Sequence, residues 1–235
     1  MRCYGRPMAD TTSTTDGLTV SQFREAGGTE DWPVLGDGAA TFFPTTSLAA
    51  SARFVAAIGA LPGIDDHPPD IDIRPDGVTV RLITFAADWG GMSRRDVENA
   101  RRISAIAGDQ ALHADGSAVE SIGPIVIGAV DVAGVMPFWQ ALLGYVRRAD
   151  TPDEDLVDPR RRGPGVWFEP IEARSEARNE MHIACWVPFE EAEARIAAAI
   201  AAGGTLIYDK HAPAWWTLAD PEGNEADIAT TMSRD

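Results

Sequence analysis

Cysteine is scarce in this chain. Two occur in 235 residues, Cys3 in a tail-like segment and Cys185 in an apolar strand pattern. That leaves no disulfide framework and no cysteine zinc site. Positive charge is also short: 20 lysines and arginines face 36 acidic residues, a formal net charge of -16. A surface that acidic repels nucleic acid and anionic membrane, so neither is expected as a partner. Long apolar runs are missing too. The most apolar stretch, Ile122 to Val135, is interrupted by Asp131 and is too short to span a bilayer. Met1 to Thr15 lacks the apolar centre of a secretory signal, so the expected location is cytoplasmic. What is present is an ordinary globular composition, 45% hydrophobic, enough for one large core or two small ones.

Residues 1–17 are rich in Thr, Ser and Asp and read as a disordered arm. Leu18 to Ala26 fits a short helix. Trp32 to Leu35 and Ala40 to Phe43 fit two strands around Gly36-Asp37-Gly38. Ser47 caps a helix to about Ala60, with Leu48, Ala52, Val55 and Ile58 near helical spacing and Pro62-Gly63 as its stop. Asp70 to Ile73 and Val78 to Ile83 alternate with period two around Arg74-Pro75-Asp76-Gly77, a hairpin. Ser93 and Asp96 open a capping-box-like helix that reaches Ala107. The small, polar residues 108–120 read as a linker.

A different pattern follows. Pro124 to Val130 is an apolar strand, Val135 to Leu143 a helix, and further strands end with Gly165 to Ile171. The order then recurs: strand Met181 to Val187, helix Phe189 to Ala201 stopped at Gly203-Gly204, and strands Thr205 to Tyr208, Trp215 to Leu218 and Glu225 to Ala229. Two βαβββ units in tandem are an internal repeat. The expected fold class is α+β, with domains at 18–107 and 121–235.

Three tracts of the first domain carry a resemblance. They are Asp66-His67-Pro68-Pro69-Asp70, Gly77 to Phe85, and Gly91-Met92-Ser93-Arg94-Arg95-Asp96. In order and spacing they resemble the pterin-4a-carbinolamine dehydratases, which remove water from a 4a-hydroxytetrahydropterin with the help of three histidines. Imidazoles suit that proton traffic because their pKa lies near working pH. The resemblance places His67 at the first histidine position, Pro68 at the second and Phe85 at the third. It implies His67 as acid/base with Asp66 placed to orient it, and Pro68, Pro69, Thr84 and Phe85 as substrate contacts. Proline and phenylalanine transfer no protons, so dehydratase activity is expected to be much reduced or absent.

In the second domain, Phe138-Trp139-Gln140-Ala141-Leu142-Leu143-Gly144-Tyr145 and Asp220-Pro221-Glu222-Gly223-Asn224-Glu225 resemble the glyoxalase/bleomycin-resistance (vicinal-oxygen-chelate) superfamily. Metal-using members place ligands on the first and last strands of each unit. Here His182, Asp227 and Glu169 occupy such positions, while Pro124 to Val130 offers no ligand, so no metal and no other cofactor is expected. Trp167, Glu169, His182, Trp215 and Asp227 are expected to contact a small molecule, with Trp186 and Trp216 as further candidate walls. The basic loop Asp158 to Pro164 is a candidate grip for an anionic group. Together these readings imply a hydro-lyase-type protein for a hydroxylated heterocycle, with the second domain supplying a pocket or a dimer surface. The alternatives are a metal-free sequestering protein and, on less evidence, a metal-dependent lyase or dioxygenase. A homo-oligomer is expected.

Overall fold

A computed structural model describes residues 16–36, 38–85, 89–119, 123–134, 136, 145–172, 181–201, 203–219 and 225–233. The first unit is set out by its helix caps. Thr19 caps the short α1 (Val20–Arg24) in a reciprocal capping box with Gln22. Ser47 caps α2 (Leu48–Gly59), its side chain accepting from the Ala50 amide. Ser93 and Asp96 form the capping box of α3 (Arg94–Asp109). Four strands, β2 (Val34–Leu35), β3 (Gly38–Pro44), β4 (Asp70–Arg74) and β5 (Gly77–Leu82), make an antiparallel sheet in the order β2-β3-β5-β4.

Between this sheet and the helices lies a core of Trp32, Phe43, Phe54, Ile58, Val78, Val80 and Ile103. Phe43 meets Trp32 and Phe54 edge-on, at centroid distances of 6.2 and 4.7 Å. Each such fully buried side chain contributes about 1.5–3 kcal/mol. A second small sheet, not anticipated from the sequence, joins β1 (Gly17–Leu18), β7 (Gly90–Ser93) and β6 (Thr84–Phe85) in the order β1-β7-β6. Gly17 is therefore part of a strand and not of an arm.

The stretch expected as a linker begins inside α3, whose last turn includes Gly108 and Asp109. Leu112 and Ala114 then pack on the first core. The Asp115 amide donates to the Phe42 carbonyl at 2.8 Å. Small polar residues here follow a close surface: a Cβ on Gly116 would lie 2.9 Å from the Asp31 carbonyl oxygen.

The second unit is one eight-stranded sheet. Its strands are β8 (Ile125–Ala129), β9 (Val146–Arg147), β10 (Asp155–Val157), β11 (Val166–Pro170), β12 (Met181–Trp186), β13 (Thr205–Tyr208), β14 (Trp215–Ala219) and β15 (Glu225–Ala229), with α4 (Phe189–Ala201) after β12. The order is β13-β14-β15-β12-β8-β11-β10-β9. In each repeat the first strand lies parallel to the last, β8 with β11 and β12 with β15, and β8 and β12 join the halves antiparallel. The repeat read from element order is thus a repeat in topology. Ile127, Met136, Leu156, Val166 and Phe168 form the core on one face. The expected helix at 135–143, apart from residue 136, and the turn at 220–224 lie outside the described residues.

Candidate functional site

Between the second sheet and the first unit lies a cavity of about 410 Å³. That volume falls within the usual range of small-molecule sites. Strand alternation decides what lines it. On β12 the residues His182, Ala184 and Trp186 face inward; on β11, Trp167 and Glu169; on β15, Asp227 and Ala229; on β14, Trp215. All five second-domain residues proposed from the sequence therefore meet in one place. Trp216, one step along β14 from Trp215, is not among the lining residues. The first unit contributes Gly36. Trp186 lies so close over Gly36 that a Cβ there would come within 2.8 Å of the indole. A second, more open groove of about 600 Å³ shares Gly36, Arg148 and Trp186 with the first and adds Trp89.

His182 and Asp227 form the polar pair of the cavity. His182 Nε2 lies 3.3 Å from Asp227 Oδ2, and the Thr217 hydroxyl donates to Asp227 Oδ1 at 2.8 Å. The hydrogen bond to Asp227 raises the His182 pKa, burial opposes it, and Glu169 and Glu225 add to the rise. This imidazole therefore favours its protonated form more than an isolated histidine does.

The basic loop supplies Arg161, whose direction the sequence did not reveal. Asp158 accepts from the amides of Arg160, Arg162 and Gly163 at 2.9, 3.0 and 2.9 Å. Those backbone donors hold the Asp158 pKa down. Arg161 itself sits at φ 53°, in the left-handed region that non-glycine residues rarely adopt. Its guanidinium crosses to the first unit, donating to Asp70 Oδ1 at 2.6 Å and lying 5.5 Å from the centroid of Phe85. Arg148, paired in bidentate fashion with Asp150, lies 5.7 Å from the same ring. Burial raises the Asp70 pKa despite this arginine, and burial beside Arg161 lowers Arg81 to about 10.

The first-unit candidates behave differently. His67 Nε2 lies 2.7 Å from Asp96 Oδ1. Asp96 is fully buried, and its other oxygen accepts from the Thr84 and Ser93 hydroxyls and the Ser93 amide at 2.7–2.8 Å. A carboxylate only accepts, so Nε2 carries the proton and Nδ1 is the remaining ring nitrogen. The orienting acid is thus Asp96, not Asp66, which is exposed and makes none of the described hydrogen bonds to His67. Asp96 was visible only as a helix cap; its spare oxygen was the signal. None of His67, Asp66, Pro68, Pro69, Thr84 and Phe85 lines either cavity.

Among the described residues the second sheet presents no metal ligand set. Across the β8–β12 seam His182 pairs with Val126, where a matching ligand would have to stand. Among the described residues no group of three His, Cys, Asp or Glu side chains is placed to hold an ion. No described helix is long and apolar enough to cross a membrane.

Fold and site together define an α+β protein with a caged His–Asp pair in its first half and a glyoxalase-like sheet in its second. The family model described as "Pterin 4 alpha carbinolamine dehydratase" matches residues 16–106, and that described as "Glyoxalase-like domain" matches 124–229. A Paracidovorax citrulli (strain AAC00-1) protein named "Putative pterin-4-alpha-carbinolamine dehydratase" is 35% identical over 81 residues, 33% of this chain and 68% of the relative. A protein of the same name from Nocardia farcinica (strain IFM 10152) is 35% identical over 77 residues, 33% and 79% of the two chains. The chain belongs to the pterin-4a-carbinolamine dehydratase family and carries a glyoxalase-like domain after it. Among solved structures, a glyoxalase/bleomycin resistance protein/dioxygenase superfamily member from Vibrio splendidus 12B01 aligns with 47% of this chain and 98% of its own, at 18% identity and a TM-score of 0.32, too low to add to the argument.

Proposed function

We propose that this dehydratase-family protein binds its small molecule in the cavity between its two units and not at the histidine positions of the first. The observation that carries this reading is a contrast. Trp167, Glu169, His182, Trp215 and Asp227 converge on one open cavity, while His67 is tied into a buried network and Phe85 lies under two guanidinia. Three indoles favour a flat ring, and the family name makes a pterin-type heterocycle the first ligand to try. If the ligand is turned over, hydro-lyase chemistry would draw its proton from His182. If it is only held, the protein sequesters it.

The test is a titration with 7,8-dihydropterin, followed by tryptophan fluorescence. Saturable binding, weakened about tenfold in Trp167→Ala or Trp215→Ala, is expected. His67→Ala should leave it unchanged. Binding abolished by His67→Ala and indifferent to both tryptophans would place the ligand in the first unit and overturn the proposal. For the expected homo-oligomer, edge strand β13 offers exposed Leu206, Ile207 and Tyr208. Sedimentation of Ile207→Asp against wild type reads its part in assembly.

A further inference from the structure

We infer that Arg161 is the specificity-determining residue of the interdomain cavity, selecting a flat ring that presents a carbonyl or oxyanion acceptor to it. This rests on the proposed cavity binding. A guanidinium offers five N–H donors in a fixed fork, and among the described contacts Arg161 uses one, to Asp70. Arg161 is among the residues that line the cavity, and its side chain is 32% exposed. Its remaining donors are open to solvent or to a ligand that presents an acceptor.

The loop is built to hold this residue still. Asp158 gathers three backbone amides, the Arg161 amide donates to the Asp158 carbonyl at 2.8 Å, and the Arg161 carbonyl accepts from Arg81 at 3.1 Å. A non-glycine residue in the left-handed region costs about 1 kcal/mol or more and persists only where its surroundings impose it. Here they impose it at an arginine that touches both units and the cavity; Arg148 does so too, but its Nε and Nη2 are both paired with Asp150. Aspartate at 70 fixes the near end of the fork, and the Phe85 ring lies 5.5 Å from its Cζ.

The cavity also holds carboxylates. Arg161 enters from the β10–β11 connection, whereas His182 and Asp227 stand on β12 and β15, beyond β8. Asp227 there is engaged by Thr217 and His182, and Glu169 on β11 is a further carboxylate of the lining, so a ring that carries N–H donors as well as an oxygen suits the cavity. A pterin carries both: a 2-amino group and N3–H beside a 4-oxo group on its pyrimidine edge.

The experiment compares pterin with 2,4-diaminopteridine, which replaces the 4-oxo acceptor by an amino donor, by calorimetric titration. Wild type should prefer the 4-oxo ring about tenfold or more, the value of one hydrogen bond to a charged group. Arg161→Asn removes the guanidinium while asparagine tolerates the left-handed backbone, and it should bring the preference to about onefold. Equal binding of the two rings by wild type overturns the inference and leaves cavity binding standing. So does an unchanged ratio in Arg161→Asn, including the case where both affinities fall together. No binding of either ring overturns the inference and the pterin reading of the cavity alike.

Discussion

The two halves of this molecule each hold a histidine on an aspartate, and the pairs are opposites. His67–Asp96 is closed: the carboxylate is fully buried, takes four donors, and lines neither of the two cavities described. His182–Asp227 is open: the imidazole is a quarter exposed, the carboxylate has Thr217 behind it, and both line the interdomain space. The same two residue types serve as a structural rivet in one unit and as an accessible polar group in the other. Burial and donor count, not residue identity, make the difference.

The largest expected effect lies in chemistry. With Pro68 and Phe85 at two histidine positions, wild type should dehydrate 4a-hydroxytetrahydropterin at close to the uncatalysed rate. Restoring both, Pro68→His with Phe85→His, supplies groups worth ~10²–10⁴-fold each. Arg161→Asn should enlarge the gain, because Arg161, with Arg148, lies over position 85. Stopped-flow absorbance of the quinonoid product measures this. Wild-type turnover at the restored rate, unaffected by His67→Ala, would erase the contrast between the halves.

Next comes stability. Asp96→Ala leaves Thr84, Ser93 and His67 without their buried acceptor and should cost about 3 kcal/mol, whereas Asp227→Ala should cost about 1 kcal/mol. Urea denaturation with equal losses would show that the two pairs are alike. Gly36→Ala pushes a methyl group into Trp186 and should destabilise by about 1–2 kcal/mol while weakening ligand binding. A neutral substitution would mean that the units are not packed at this point.

The smallest effect is a pH dependence. The folded-state pKa of His182 is raised, so its pairing stabilises fully below the unfolded value, about 6.5, and fades as pH rises through the folded value. His182→Gln should therefore lower Tm by about 2–4 °C at pH 5.5 and by less at pH 8.5. An equal loss at both values would show a pair that does not ionise differently on folding.

What the sequence made legible was local or periodic. Ser47 and Ser93 mark their helices because a cap needs only residues three positions away. The tandem repeat shows because each unit repeats the same element order. The rest depends on distant partners. Strand β1 exists only because Gly17 and Leu18 pair with Ser93 and Met92. Asp96 holds a histidine 29 positions earlier, and Arg161 an aspartate 91 positions earlier. The five cavity residues were found by alternation and family position, yet nothing in their spacing showed that Arg161 and Gly36 would face them. The linker reading followed polarity, and polarity does not distinguish a free segment from one laid against a surface.

Trp186 has one more consequence. Its indole, resting on Gly36, is a wall of both the cavity and the neighbouring groove. A partition between two chambers makes their occupancies thermodynamically linked: whatever a guest on one side does to the indole's position changes the affinity on the other by the same factor in either direction.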